Sequence, residues 1–181
     1  MRLMKIGALG ALNIDIIIHG TVPQNTVELR RWVGPSSITC LTAGAIGYFS
    51  QNFAKLGFDV HLVSTVGDDP FDQSIISSLE KAGIRTGQIV IEPNTESGIG
   101  VYMLLFGSSK RPMTYRLPTH HAWPLHLSSA ATRYLLDTDL VHCGGYLHFP
   151  DLWNGEVAIL FAKAKKQGLV TSLDPQFPLS Q

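Results

Sequence analysis

Two kinds of hydrophobic periodicity alternate along this sequence of 181 residues. Short aliphatic runs, such as those at residues 60–65 and 140–143, predict buried strands. Between such runs, apolar residues recur every three or four positions, as they do from Gly44 to Gly57, and this spacing predicts amphipathic helices. Strands that alternate with helices of this length form right-handed βαβ units. The sequence therefore predicts an α/β protein with three layers, in which helices cover both faces of a mostly parallel sheet.

Not every predicted strand fits that sheet. The segments at 27–33 and 98–116 are interpreted as strands outside it, because the first has a polar face and a turn at 107–112 interrupts the second. They predict a small β lid, from about residues 19–42 and 95–118, inserted into one α/β unit that spans residues 1–181. The remaining predicted strands lie at 4–18 (with an irregularity at Gly10), 60–65, 88–91, 140–143 and 169–173, and the predicted helices at 45–56, 71–82, 129–136 and 152–167.

The charge balance excludes some classes of partner. Fourteen basic residues match fourteen acidic ones, whereas nucleic acids and anionic membranes are usually met by a clustered positive field. The apolar stretch at 6–12 is interrupted by Asn13 and Asp15, so it predicts a strand rather than a secretion signal or a membrane span. Two cysteines are too few for a disulfide framework. We therefore expect a soluble cytoplasmic protein without a nucleic-acid or membrane partner.

Ligands of open α/β sheets bind beyond the carboxyl ends of the strands. Polar or small residues follow several predicted strands here, among them Asn13 and Asp15, the segment 42–47, and Asp174. Asp15 could accept hydrogen bonds from a ligand or merely cap a turn. Asp174 precedes a proline, so it could equally belong to an ordinary turn.

Several of these segments, taken together and in order, resemble the N-terminal part of the ribokinase-like (PfkB) carbohydrate kinases. Ala-Gly-Ala-Ile-Gly at 43–47, its helix, and Gly-Asp-Asp-Pro-Phe at 67–71 are similar to that family's N-terminal signature. Asn-Ile-Asp at 13–15 resembles its substrate-gripping pair, Ser-Gly at 97–98 its Thr-Gly step, and Leu-Asp-Pro-Gln at 173–176 its Asp-Pro-Asn strand end. The resemblance covers essentially the whole chain.

The resemblance implies a sugar or nucleoside substrate and a set of residues that bind it. A carboxylate accepts from two neighbouring hydroxyls in charge-assisted hydrogen bonds, and an amide both donates and accepts. Glycines at a helix start let the backbone approach a ligand, or simply allow the helix to pack. The implied substrate-binding residues are Asn13, Asp15, Ala43, Gly44, Gly47, Tyr48 and Tyr102, and Asp174 is implied near the phosphoryl-transfer region. Tyr102 could instead belong to the core or an interface.

The resemblance also implies that the family's nucleotide site and catalytic acid are absent from these residues. The family's nucleotide site and catalytic acid lie in a Gly-Ala-Gly-Asp element, which does not occur in these residues. We therefore expect no catalytic residue in this chain, a catalytic Asp beyond Gln181, and ATP with Mg²⁺ only in a full-length kinase. The chain is predicted to be an incomplete ribokinase-like domain that does not turn over ATP alone. The alternative is a non-catalytic sugar-binding module, or pseudo-kinase.

Departures from the family pattern concern the pocket and the assembly. Tyr48 stands where the family commonly has an asparagine, Ala43 where it has the first of two glycines, and Asp72 where a glycine often ends the Gly-Asp-Asp segment. We expect Tyr48 to alter the floor of the pocket. Because an incomplete parallel sheet leaves an open edge, we also expect a homodimer, formed through the β lid.

Two other functions, a metal site and a dinucleotide-binding loop, have weaker support in the sequence. His120 and His121 are adjacent, so in extended backbone they point to opposite sides, and no metal-ligand spacing supports them or His126, His142 and His148. We expect no metal site. The glycines at 7 and 10 lack the spacing of a dinucleotide-binding loop and precede Asn-Ile-Asp instead of a helix.

Overall fold

Strands and helices alternate along the whole described chain. The structure is a computed structural model and describes residues 3–20, 23–32, 36–103, 113–116 and 125–176. The strands are β1 Lys5–Gly10, β2 Asn13–Gly20, β3 Ser36–Ala43, β4 Asp59–Gly67, β5 Arg85–Glu92, β6 Gly98–Met103, β7 Met113–Arg116, β8 Leu140–Gly144 and β9 Val170–Asp174. The helices are α1 Thr26–Arg31, α2 Ala45–Lys55, α3 Asp72–Lys81, α4 Ser129–Leu136 and α5 Glu156–Lys166. Two 3₁₀ turns, Tyr146–His148 and Pro150–Asn154, connect β8 to α5.

Five strands form the core sheet, in the order β5-β4-β1-β8-β9. Each neighbouring pair is parallel. Parallel strands need crossover connections, and the helices that make them here pack on both faces of the sheet. The prediction of a three-layer α/β/α protein is confirmed.

Two hydrophobic clusters show where those layers meet. Alternate residues of one strand contribute to opposite faces: Ala8 belongs to one cluster and Leu9 to the other. The Ala8 side is covered by α2 and α3, through buried residues such as Ile46 and Ile75. The Leu9 side is covered by α4 and α5, with Leu160 among the buried contacts.

The other four strands form a second sheet, in the order β3-β2-β6-β7. It is mixed, because β2 pairs antiparallel with β3 and parallel with β6. The chain passes from the core sheet to this sheet within two residues, between Gly10 and Asn13. Extending the first core strand to residue 18 was therefore wrong: residues 13–18 belong to the second sheet.

The segment from Thr26 to Arg31 corrects the sequence interpretation as well. A strand was predicted at 27–33, but residues 26–31 form α1. The Asn25 side chain caps this helix by accepting from the backbone N–H groups of Val27 (3.0 Å) and Glu28 (2.9 Å). The helix buries none of its residues, so its sequence carries no apolar stripe of helical period.

The strand β3 was not predicted as an element, and the other elements agree with the predicted types. The helix at 129–136 has the predicted bounds, whereas the one predicted from 152 begins as a 3₁₀ turn and becomes α-helical at Glu156. The end of the strand predicted to 106 and the turn at 107–112 lie outside the described residues. Among the described residues, no helix has the length and apolar character needed to cross a membrane.

The two cysteines occupy opposite environments, which gives a direct test of this fold. Cys40 is exposed on β3, and Cys143 is buried on β8. Burial, helped by the charge of Asp174, raises the pKa of the Cys143 thiol to about 12. Since the thiolate is the reactive form, we expect iodoacetamide at pH 8 to modify the native protein once, at Cys40, as measured by intact mass. A second modification should require denaturant. Equal labelling of both cysteines in the native state would contradict the placement of β8.

Candidate functional site

The carboxyl ends of three core strands lie side by side. Gly10 of β1 is the register neighbour of Gly144 of β8, and Gly144 is the neighbour of Asp174 of β9. Adjacent strands are about 4.8 Å apart, so Asp174 lies roughly 10 Å across this edge from Gly10. Asn13, three residues after Gly10, begins β2 at the same edge. The fold thus brings together most of the segments that the sequence singled out.

Asp15 is the centre of a buried polar group on β2. Asn13 Nδ2 donates to Asp15 Oδ1 at 2.6 Å, and the Tyr48 hydroxyl donates to Asp15 Oδ2 at 2.6 Å. Asp15 and Asn13 are only 3% and 2% exposed, while Tyr48 is 43% exposed. Asn13 and Asp15 share a face of β2 because they are two positions apart in the strand. Both donors are neutral, so among the described residues the carboxylate is held by hydrogen bonds and not by an ion pair.

The start of α2 closes one side of this group. Gly44 has φ +92°, and a Cβ at this position would lie 2.3 Å from the carbonyl oxygen of Ala11 and 2.8 Å from Asn13 Oδ1. A residue with a side chain would therefore be both strained and blocked. The Ile46 N–H donates to the same Ala11 carbonyl at 3.2 Å, which fixes the helix start to the β1–β2 connection. Tyr48 then projects from the first turn toward Asp15.

Ala43 and Gly47, which were predicted to bind the substrate, are packed inside the protein. Ala43 is fully buried and pairs with Asn13 across β3 and β2. A Cβ on Gly47 would lie 3.3 Å from Leu12 Cδ2, so that glycine allows close packing of α2. A substrate contact by either residue stays a prediction.

Gly100 belongs to the site but was missed in the sequence. It is the register neighbour of Asp15 across β2 and β6, and a Cβ on it would lie 2.6 Å from Asp15 Oδ1. The same Cβ would lie 3.1 Å from Tyr102 Cε2. The half-buried Tyr102 ring therefore lies beside Gly100, which is next to the Asp15 carboxylate. A glycine inside a strand signals the close approach of another group. The pattern Gly-Ile-Gly at 98–100 contained that signal.

The Gly-Asp-Asp segment anchors β6 behind the site. Asp69 accepts from the backbone N–H of Ser97 (2.7 Å), the Ser97 hydroxyl (3.0 Å) and the N–H of Phe71 (2.9 Å). The Gly67 N–H donates to Ser97 Oγ at 3.1 Å. These bonds join the β4–α3 turn to the residue that precedes β6. They give this segment a structural role.

Asp174 lies at the same edge of the core sheet but in a different setting. It is exposed, and its carboxylate accepts from the Gln176 N–H at 3.0 Å. Its backbone carbonyl accepts from the Gly145 N–H at 2.9 Å, which ties the end of β9 to the turn after β8. The turn interpretation of this residue thus has a structural basis, and its part in phosphoryl transfer stays a prediction.

Among the histidines considered as metal ligands, His142 is held by packing contacts. His142 stacks on Phe49 with ring centroids 4.0 Å apart, its Nδ1 lies 3.1 Å from Ser172 Oγ, and burial lowers its pKa. His126 is exposed, and His120 and His121 lie outside the described residues.

The residues that the structure describes do not fit a site for Mg²⁺ and a nucleotide. Among residues 3–20, 23–32, 36–103, 113–116 and 125–176, no three His, Cys, Asp or Glu side chains are grouped to hold a metal ion. At the carboxyl end of β9, Asp174 offers one exposed carboxylate, whereas Mg²⁺ is usually held by carboxylates together with substrate phosphates. We therefore derive no chemical step through ATP or a metal.

Comparison with known proteins shows the family to which this fold and site belong. The profile of the pfkB family carbohydrate kinases matches residues 30–180. The chain belongs to the pfkB family of carbohydrate kinases. An uncharacterized sugar kinase of Escherichia coli strain K12 is 30% identical over 84 residues, which cover 45% of this chain and 22% of that protein.

Solved structures show the same fold. Arabidopsis thaliana ribokinase, in complex with ribose and ATP, aligns with a TM-score of 0.73 at 20% identity, over 95% of this chain and 53% of that chain. The fructokinase of Halothermothrix orenii aligns with a TM-score of 0.71 at 18% identity, over 95% of this chain and 57% of that chain. This pfkB chain therefore spans about half the length of the solved kinases it matches.

Proposed function

We propose that this chain supplies the sugar-binding part of an ATP-dependent carbohydrate kinase, with Asp15 as the residue that grips the substrate. The observation that carries this proposal is the carboxylate of Asp15, buried at 3% exposure and held by two neutral donors at 2.6 Å. Burying a charge is costly unless it is hydrogen-bonded. A buried carboxylate whose partners in the described part of the chain are two neutral donors suits a group that recognises hydroxyls.

The remaining acceptor capacity of Asp15 fits a pair of hydroxyls. An ionised carboxylate offers about four acceptor positions. Within the described part of the chain, Asn13 and Tyr48 use one on each oxygen. Gly100 lies against Oδ1, so the open position on Oδ2 and the one that Tyr48 uses suit two neighbouring hydroxyls of a sugar. Charge-assisted hydrogen bonds of this kind are about twice as strong as neutral ones.

The surrounding residues have supporting roles in this proposal. Asn13 holds the Asp15 carboxylate in place, and its Oδ1 faces Gly44 at the start of α2. Gly100 lets β6 approach Asp15 Oδ1 closely, and the Tyr102 ring next to it offers an apolar face to a sugar ring. The second sheet then acts as the lid of the site. A dimer formed through that sheet remains part of the proposal.

Phosphorylation is proposed from family membership and from relatives. Arabidopsis ribokinase has been solved with ribose and ATP bound, and a sugar kinase of Pyrococcus horikoshii with ATP. ATP would supply the phosphoryl group, and this chain's residues would hold and orient the accepting hydroxyl. A cytoplasmic location fits an ATP-using enzyme.

Binding of a sugar is tested by thermal unfolding of the purified chain. We expect at least one of D-ribose, D-fructose, 2-keto-3-deoxygluconate and adenosine to raise the unfolding midpoint. A ligand at 100 times its Kd stabilises by about 2.7 kcal/mol, which corresponds to about 5–10 °C for a chain of this size.

Sugars also stabilise proteins weakly by exclusion from the surface. L-Ribose at the same concentration is the matched control and should give only that small shift. A specific ligand would then be incubated with ATP and Mg²⁺, and phosphorylated product sought by mass spectrometry. Shifts no larger than that of L-ribose for all four compounds would contradict the proposed site.

A further inference from the structure

Tyr48 lies on the open side of the Asp15 carboxylate. The Oδ1 side is closed by Asn13 Nδ2 at 2.6 Å and by the backbone of Gly100, on which a Cβ would lie 2.6 Å from Oδ1. On the other side, Oδ2 accepts from the Tyr48 hydroxyl at 2.6 Å. Tyr48 is 43% exposed, whereas Asp15 is 3% exposed. Solvent therefore meets the tyrosine first and the carboxylate behind it.

The position of Tyr48 on its helix keeps it at this place. Its N–H donates to the Gly44 carbonyl at 3.1 Å in the first turn of α2. That turn is fixed to the β1–β2 connection by the bond from Ile46 N–H to the Ala11 carbonyl at 3.2 Å. The backbone of Tyr48 is thus held firmly, while its side chain is 43% exposed.

We propose that the Tyr48 hydroxyl is an internal competitor for Asp15, which a sugar hydroxyl displaces when it binds. This inference rests on the proposed function, because it assigns a role in the same sugar site. A phenol and a sugar hydroxyl are the same kind of donor. In the free protein Tyr48 occupies the accessible oxygen of Asp15, and in the complex the ligand takes its place.

Displacement makes Tyr48 a specificity-determining residue. A ligand with a single hydroxyl at this place exchanges one hydrogen bond for another and gains little. A ligand with two neighbouring hydroxyls gains a second bond to the carboxylate and so offsets the lost tyrosine contact. The site therefore selects vicinal diols, a class that includes most sugars in ring form.

The test is the affinity of Tyr48→Phe for D-ribose and D-fructose, measured by calorimetry. This change keeps the ring and deletes the competing O–H. We expect the variant to bind at least one of the two sugars about tenfold more tightly than the wild type does, since hydrogen bonds to charged groups are worth about one to two powers of ten. 2-Deoxy-D-ribose, which lacks one hydroxyl of the pair, should bind both proteins more weakly than D-ribose.

Tyr134→Phe is the matched control, because Tyr134 lies on α4 against His61, with ring centroids 4.9 Å apart. It should leave the affinity unchanged. Unchanged or weaker binding by Tyr48→Phe, or no binding of either sugar by both proteins, overturns the inference. If Asp15→Ala abolishes binding while Tyr48→Phe leaves it unchanged, only the role of Tyr48 fails. If Asp15→Ala leaves binding unchanged, the proposed function fails as well.

A second readout does not depend on affinity. In protein labelled with ¹³C-tyrosine, the Tyr48 resonance is the one that disappears in Tyr48→Phe. Saturating D-ribose or D-fructose should shift this resonance, because the phenol leaves the carboxylate. A bound sugar that leaves the Tyr48 resonance unmoved would overturn displacement.

Discussion

Replacing Asp15 with alanine is expected to abolish sugar binding, with a loss of affinity of about 100-fold or more. The reason is that the variant loses both acceptor oxygens at once, and each hydrogen bond to a charged group contributes about 1.5–3 kcal/mol. The measurement is calorimetric titration with the sugar that most stabilises the wild type. Thermal shifts with that sugar should likewise fall to the level of L-ribose.

The same substitution also has an effect on stability that must be separated from binding. Asn13 is 2% exposed, so its amide loses a partner that water cannot easily replace. Leaving such a group unsatisfied costs about 1–3 kcal/mol. Asp15→Asn, which keeps the shape but removes the charge, is the variant that separates the two effects. It should unfold near the wild-type midpoint and still bind at least about tenfold more weakly.

Asp68→Ala is the matched control for Asp15→Ala. Asp68 is exposed in the turn between β4 and α3, so its loss should change neither affinity nor stability by more than about 0.5 kcal/mol. Equal sugar-induced shifts in the wild type and in Asp15→Ala would remove Asp15 from the site.

Gly10→Ala is expected to destabilise the protein by about 3 kcal/mol or more. Gly10 has φ +151°, and a Cβ there would lie 1.9 Å from the carbonyl oxygen of Gly144. That contact is far inside any permitted distance, and the clashing atom is backbone at the carboxyl end of the neighbouring core strand β8. Backbone strain and overpacking each cost about 1–3 kcal/mol. The measurement is the free energy of unfolding from urea titration.

Gly87→Ala provides the comparison within the same sheet. Gly87 lies on the edge strand β5, and a Cβ on it would meet nothing within 4 Å. Its substitution should change the free energy of unfolding by no more than about 0.5 kcal/mol. If Gly10→Ala and Gly87→Ala unfold at the same urea concentration, then β1 and β8 do not end as closely together as described here.

The core sheet could be predicted because its elements have strong periodicity. Runs such as residues 60–65 are buried on both faces, and the helices over them have apolar residues on one face only. The helix α1 could not be found in this way. Val27 and Leu29 are 63% and 39% exposed, so no buried face imposes a helical period, and the helix is specified by its Asn25 cap instead.

The site was predicted in part. Asn13, Asp15, Gly44 and Tyr48 do come together, but the sequence gives no sign that β2 leaves the core sheet. Isoleucines at 14, 16 and 18 continue the aliphatic character of β1, and hydrophobicity does not state which sheet a strand joins. The decisive local feature is the Gly10 conformation, which depends on the neighbouring strand β8. Gly100 was overlooked because its partner, Asp15, is distant in sequence.

The division between the two sheets also bears on how such a protein can evolve. Asp15 and Gly100 lie on the second sheet, which supplies only Ile14 and Ala43 to the fully buried apolar residues among those described. Mutations at partly exposed positions of β2 and β6 can therefore accumulate while the residues that keep the α/β layers together, such as Ile46 and Ile75, are left intact. Proteins with this arrangement can change their ligand preference without first needing mutations that restore stability.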